Sequence, residues 1–378
     1  MRSISRTAVA VLIAAALIAT GLIWDIAWHR SVGRDTFWTP PHLVEYVAAI
    51  IVGTSCGWLI LRSTFRGSEL EQEHMVRFWG FRGPLGAWVA VWGSLAMLVS
   101  APFDDWWHNA YGLDVKIVSP PHMVLGAGMT AIIVGAWLMT LAEQNRSAAG
   151  SRKFAIVFAV ASAILLLMFV TITMEYTAFP NLWRGRLFYY VSAAVYPLVL
   201  AAAARSGRLR WPATTTAAIF MLASLVLSWV LQSVPATARL APINNPVTHL
   251  VAAPFPIALI VPAAVFDLLH RAVGSGRDWR LSALLGAGFV VALLVVSWPL
   301  SGFLLSPAAQ RPVFLAGNWD FSVTLGAWRF EYWDTMSGAS SGSGAAAFAK
   351  VLLLAALFAA VSSRLGIALG SWMRKVRR

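Results

Sequence analysis

Apolar residues fill long runs along this chain, and short polar and basic stretches separate them. Ten runs are long enough to cross a hydrocarbon core of about 30 Å as helices. They cover roughly residues 8–29, 41–61, 84–107, 121–142, 154–175, 187–204, 212–234, 247–269, 281–304 and 346–369. The runs do not alternate apolar with polar residues, which excludes a membrane β-barrel. The pattern predicts an all-α polytopic membrane protein of about ten transmembrane helices. The first four form two helical hairpins with matching tips.

Composition agrees with this reading: 59% of the 378 residues are hydrophobic and 12% are charged, with a mean hydropathy of +0.70. The net charge of +13 does not point to nucleic acid, because the basic residues sit in short clusters between apolar runs. Those clusters include Arg62 to Arg82, Arg146 to Lys153, Arg205 to Arg210, Arg271 to Arg280 and Arg364 to Arg378. All of them fall on one side when both termini are cytoplasmic, as the positive-inside rule requires. The acids lie mainly in the opposite segments. The membrane expected is a bacterial-type inner (plasma) membrane. The lone cysteine, Cys56, lies within an apolar run, so neither an intramolecular disulfide nor a thiolate-rich metal site is available. The first 24 residues have the basic start and apolar middle of a signal peptide. The run continues to Asp25 and His29 without a small-x-small site, so it is read as a retained helix.

The hairpin tips carry the chemistry. Trp24 to His42 reads WDIAWHRSVGRDTFWTPPH, and Phe103 to His122 reads FDDWWHNAYGLDVKIVSPPH. In both, an Asp precedes a His by four residues, which puts the pair on one helix face. A Pro-Pro-His then opens the next helix, thirteen residues after the first His in one copy and fourteen in the other. Each tip therefore predicts a metal site of one carboxylate and two imidazoles: Asp25, His29 and His42, then Asp104, His108 and His122. Asp105 is the alternative acid in the second. This thiolate-free donor set suits copper, zinc or non-haem iron. A bis-histidine haem, ligated by His29 and His42 or by His108 and His122, is a second reading, which leaves the acids unexplained. Isolated polar residues at helix ends are usually snorkelling groups. The in-register repetition is what argues for metal.

Around these triads, Asp35 and Asp114 align between the copies and either orient a histidine or cap the loop. Glu45 follows His42 on a similar face and is a supporting candidate. His249, after Pro246, resembles a degenerate Pro-Pro-His and reads as structural before it reads as a ligand. Glu175 is an extra carboxylate with an ordinary interfacial reading. The chain divides softly into a metal-site region, 1–150, and a six-helix region, 151–378. The outer loop 306–345 reads as an interfacial aromatic belt, or else a lid, and its FSVTLGAWRFEYW stretch is a candidate short hairpin.

Residues 15–140 resemble the C subunit of the copper-dependent membrane monooxygenases, the particulate methane and ammonia monooxygenases. The shared elements are Asp25, Trp28, His29, Arg34, Asp35, Thr36, Thr39, Pro40, His42, Glu45 and Tyr46, at the family's spacing. The resemblance implies Asp25, His29 and His42 as copper ligands. His108 and His122 match the family's downstream element, whereas Asp104 stands where the family has Asn. The resemblance further implies a hetero-oligomer with other membrane subunits, and O2 and a small apolar molecule as substrates. A copper acquisition or delivery protein is the alternative from another class. No methionine-rich or cysteine relay crosses the chain to support it.

Overall fold

The computed structural model describes residues 5–33, 36–67, 75–112, 119–148, 151–239, 248–274, 276–309 and 344–377. The described residues are about 80% helical. Among the described residues, nine helices are long and apolar enough to cross a membrane. They are α1 (Arg6–Ser31), α2 (Pro40–Arg66), α3 (Leu85–Tyr111), α4 (Pro120–Arg146), α5 (Arg152–Ile172), α7 (Arg186–Ser206), α8 (Pro212–Gln232), α10 (Asp278–Leu304) and α11 (Ala345–Met373). Two short helices, α6 (Met174–Thr177) and α9 (Ile260–Val273), lie between them. A two-stranded antiparallel hairpin pairs β1 (Val76–Phe78) with β2 (Phe81–Gly83).

The expected helix over 247–269 is the one that departs. Over residues 248–259 the backbone is not helical, and only Ile260–Val273 forms a helix. Pro254 and Pro256 are the cause. Neither has an N–H to give a helix, and each disfavours helical geometry in the residue before it. The non-helical stretch is still buried at Leu250, Val251, Ala252 and Phe255, which explains its apolar composition. The 14 residues of α9 span roughly 21 Å, short of a hydrocarbon core. The expected hairpin at 321–333 lies outside the described residues. The hairpin observed, at Val76–Gly83, had not been anticipated.

The chain forms two compact units. The first holds residues 1–25, 35–165 and 375–378, and so contains α2, the β hairpin, α3, α4 and most of α1. The second holds residues 26–34 and 166–374.

Within the first unit α3 and α4 pack backbone to backbone. A Cβ placed on Gly86 would lie 2.6 Å from the Gly135 carbonyl oxygen, and one on Gly93 would lie 2.6 Å from the Gly128 carbonyl oxygen. Small residues at such crossings let dispersion and close contact hold helices where lipid removes the hydrophobic drive. On α2, Gly53 leaves room for Ser94 of α3, whose hydroxyl donates to the Ala49 carbonyl at 2.7 Å. On α1, Gly21 makes room for the buried Glu45 side chain; a Cβ there would lie 2.8 Å from Glu45 Cγ.

Within the second unit α7 and α11 form the most extensive pair, and α10 flanks α11. Gly366 and Gly370 of α11 meet the backbone of α7 at Leu198 and Ala202. One face of α7, with Tyr189, Ser192, Ala193 and Tyr196, is fully buried. The Tyr196 hydroxyl donates to Thr177 Oγ1 at 2.6 Å. Asp267 of α9 accepts from the Ala213 and Thr214 amides and from the Thr214 hydroxyl, at 3.2, 2.8 and 2.7 Å. It thereby satisfies the otherwise bare first amides of α8.

Candidate metal centres at two hairpin tips

The second tip gathers its triad. Asp104 and His108 lie one turn apart near the end of α3, and His122 lies in the first turn of α4. Pro120 and Pro121 start that helix, and the Ser119 side chain accepts from the His122 amide at 3.4 Å. Asp104 places one carboxylate oxygen 3.4 Å from His108 Nε2 and the other 3.4 Å from His122 Nε2. One ligand atom from each of the three residues lies within 4.8 Å of the other two. The exposed Asp105 carboxylate accepts from Asn109 Nδ2 at 3.4 Å.

The far side of the His108 ring fixes its chemistry. Nδ1 lies 3.2 Å from the Gly112 carbonyl oxygen, which only accepts, so Nδ1 carries the proton in that bond. In the neutral ring, Nε2 then presents a lone pair to the Asp104 carboxylate. Gly112 reaches this position at a φ of 87° and returns its own N–H to the His108 carbonyl. A positive φ of that size favours glycine.

The first tip repeats the pairing of the acid with the histidine that follows Pro-Pro, with different loop chemistry. His42 Nε2 lies 3.3 Å from Asp25 Oδ1. His42 Nδ1 lies 3.0 Å from the Thr36 carbonyl oxygen. That carbonyl is held in place by a tight turn. The Thr36 amide donates to Thr39 Oγ1 at 2.7 Å, the Thr39 amide donates back to the Thr36 carbonyl at 3.0 Å, and Tyr46 Oη donates to the Phe37 carbonyl at 3.2 Å. Glu45 is buried within electrostatic reach of both Asp25 and His42. His29 lies one turn beyond Asp25 on α1, exposed, in the stretch that belongs to the second unit.

The donors fit a transition metal. A lone pair facing a carboxylate oxygen is repulsive unless a positive charge stands between them, either a proton or a cation. Charge-assisted N–H···O bonds are about 2.7–2.9 Å, shorter than the 3.3 and 3.4 Å found here. Ligand atoms on a tetrahedral ion with bonds of about 2.0–2.2 Å stand roughly 3.3–3.5 Å apart. Nδ1 bonded to a backbone carbonyl is the usual way a ligating histidine is oriented.

The remaining candidates stand apart from these tips. Asp35 and Asp114 lie outside the described residues. His249 is exposed and forms an isolated bridge with Pro235, and its Nδ1 lies 3.0 Å from Thr248 Oγ1. It opens no helix, contrary to the resemblance to Pro-Pro-His. Glu175 is exposed in α6. The sequence reading did not anticipate the carbonyl partners of His42 and His108. Their signals were the Thr-rich turn before Pro40 and the glycine four residues after His108.

Searches of protein-family models, curated proteins and solved structures find no match to this chain. The case for its class rests on its own residues: a polytopic helical membrane chain with an acid and two imidazoles converging at one of its hairpin tips.

Proposed function

We propose that this chain is a copper-binding integral membrane subunit of a monooxygenase-like complex that oxidises a small apolar substrate with O2. The observation that carries the reading is the convergence of Asp104, His108 and His122, with His108 Nε2 turned to the carboxylate. The same pairing of Asp25 with His42 at the other tip supports it. So does the motif resemblance around Asp25 to Tyr46.

The roles follow from the donors. Asp104 supplies negative charge that offsets a bound cation, and two imidazoles supply neutral nitrogen donors. That leaves at least one position open on a four-coordinate ion. Copper bound there supplies one-electron redox chemistry towards O2. Gly112 and Thr36 hold the rings by their Nδ1 atoms, so that Nε2 stays directed at the acid. The apolar helices give a small hydrophobic substrate a route from the bilayer. By the positive-inside rule both tips lie at the extracytoplasmic face and both termini are cytoplasmic.

The test is metal analysis with electron paramagnetic resonance on the purified protein after copper, zinc and iron are offered in turn. A copper signal with nitrogen couplings that weakens in His108→Ala and His122→Ala is the expected result. Zinc or iron retained in preference to copper would overturn the copper assignment. Retention of no transition metal would overturn the whole reading. A Soret band would replace it with haem ligation.

A further inference from the structure

At one end of the second unit, the last turns of α7, α9 and α11 meet the first turn of α10. By the positive-inside rule this end is expected to be cytoplasmic. His270 lies in the last turn of α9, and both of its ring nitrogens are buried without a hydrogen-bond partner. A neutral imidazole has one donor and one acceptor, and leaving either bare when buried is unfavourable.

The surroundings of this ring are cationic. Arg205 of α7 and Arg374, just past α11, act on it electrostatically, and Asp278 of α10 is the acid that opposes them. Asp278 is already engaged, because its carboxylate lies 3.3 Å from Arg205 Nη2. Arg205 Nε donates to Ser371 Oγ at 3.1 Å, which fixes the guanidinium against α11. Asp267, the acid on α9, is spent on the first amides of α8. Arg271, Arg277 and Arg280 add exposed positive charge at the same end. Trp279 and Trp372 are exposed beside them, as interfacial tryptophans are.

We propose that this end of the second unit is a binding site for a phosphate anion, with His270 as the buried donor and Arg205 and Arg374 as the charges that hold it. A phosphate oxygen accepts from the imidazole N–H that now has no partner, and it offsets a cluster whose acids are already committed. Basic pockets between membrane helices recognise phosphate in this way. The phosphate comes either from the headgroup of an anionic phospholipid or from free inorganic phosphate.

The experiment uses the full chain, purified in neutral detergent. Melting temperature and native mass spectrometry are recorded with phosphatidylglycerol, with phosphatidylcholine and with inorganic phosphate. The expected result is retention of phosphatidylglycerol at least tenfold over phosphatidylcholine, with a rise in melting temperature. A rise with inorganic phosphate alone assigns the site to the free anion and equally supports it. His270→Phe keeps the ring volume and removes both nitrogens. Arg374→Gln alters an exposed side chain. Each variant should fold and lose the preference at least fivefold. The proposal is overturned if neither phosphate source shifts the wild-type protein, or if the preference survives in both variants.

Discussion

Asp104 divides its carboxylate between two helices, with one oxygen 3.4 Å from His108 on its own helix and the other 3.4 Å from His122 on the next. One acid therefore ties the two helices of the hairpin together at its tip. A metal held there would tie them more firmly.

Replacing that acid tests its part in binding. In Asp104→Asn the charge is lost and an acceptor oxygen remains, as in the family that the motif resembles. Copper affinity at this tip is expected to fall at least tenfold. The pairing of Asp25 with His42 should keep its own metal. Competition titration with a chelator, read by copper content per protein, measures both.

The glycine contact between α3 and α4 is the next lever. In Gly93→Ala the new methyl would lie 2.6 Å from the Gly128 carbonyl oxygen and 2.8 Å from the Ile132 nitrogen. Backbone cannot yield as a flexible side chain does, so the helices must part. A cost of about 1–3 kcal/mol is expected, with weaker metal binding at Asp104, His108 and His122. Unfolding in mixed detergent micelles, with and without copper, checks both effects.

Asp267 predicts a stability loss that no metal assay would detect. Asp267→Ala strips the partners from two amides and a hydroxyl at the start of α8. Each bare buried donor costs about 1–3 kcal/mol. Asp267→Asn keeps an acceptor and should lose less. Melting curves of the two variants against wild type, at equal metal content, give the comparison.

The pH dependence of stability should carry the mark of His270. Burial, and then the nearby Arg205 charge, pull its pKa down from 6.5 to about 4. The unfolded chain therefore takes up this proton first as pH falls. The contribution of His270 to stability is whole above about pH 6.5 and is lost progressively towards pH 4. Melting temperature should fall across that window in wild type and fall less in His270→Phe. A bound phosphate would favour the charged imidazole and flatten the decline.

Most of the helical scaffold was legible because a membrane helix must be a long apolar run. The nine spanning helices lie where the hydropathy placed them. The failure at 247–269 has a local cause. Buried non-helical backbone is as apolar as a helix, and only Pro254 and Pro256 distinguished the two. The Val76–Gly83 hairpin was hidden by its short length and its arginines. Its turn needs positive φ at Trp79 and Gly80, 47° and 84°, and a tryptophan there gives no turn signal. At the second tip the repeated spacing foretold which side chains meet, because an Asp–His step of one turn and a Pro-started helix are geometric facts. The orientation of the rings was not legible. It depends on the Thr36 and Gly112 carbonyls, and backbone acceptors leave no trace in residue type.

The touching main chains of α3 and α4 leave that hairpin no slack. Its imidazoles and carboxylate can rotate, yet they cannot retreat, since the distance between their anchoring helices is already at its floor. An ion seated at such a tip would meet two helices whose spacing is set before it arrives.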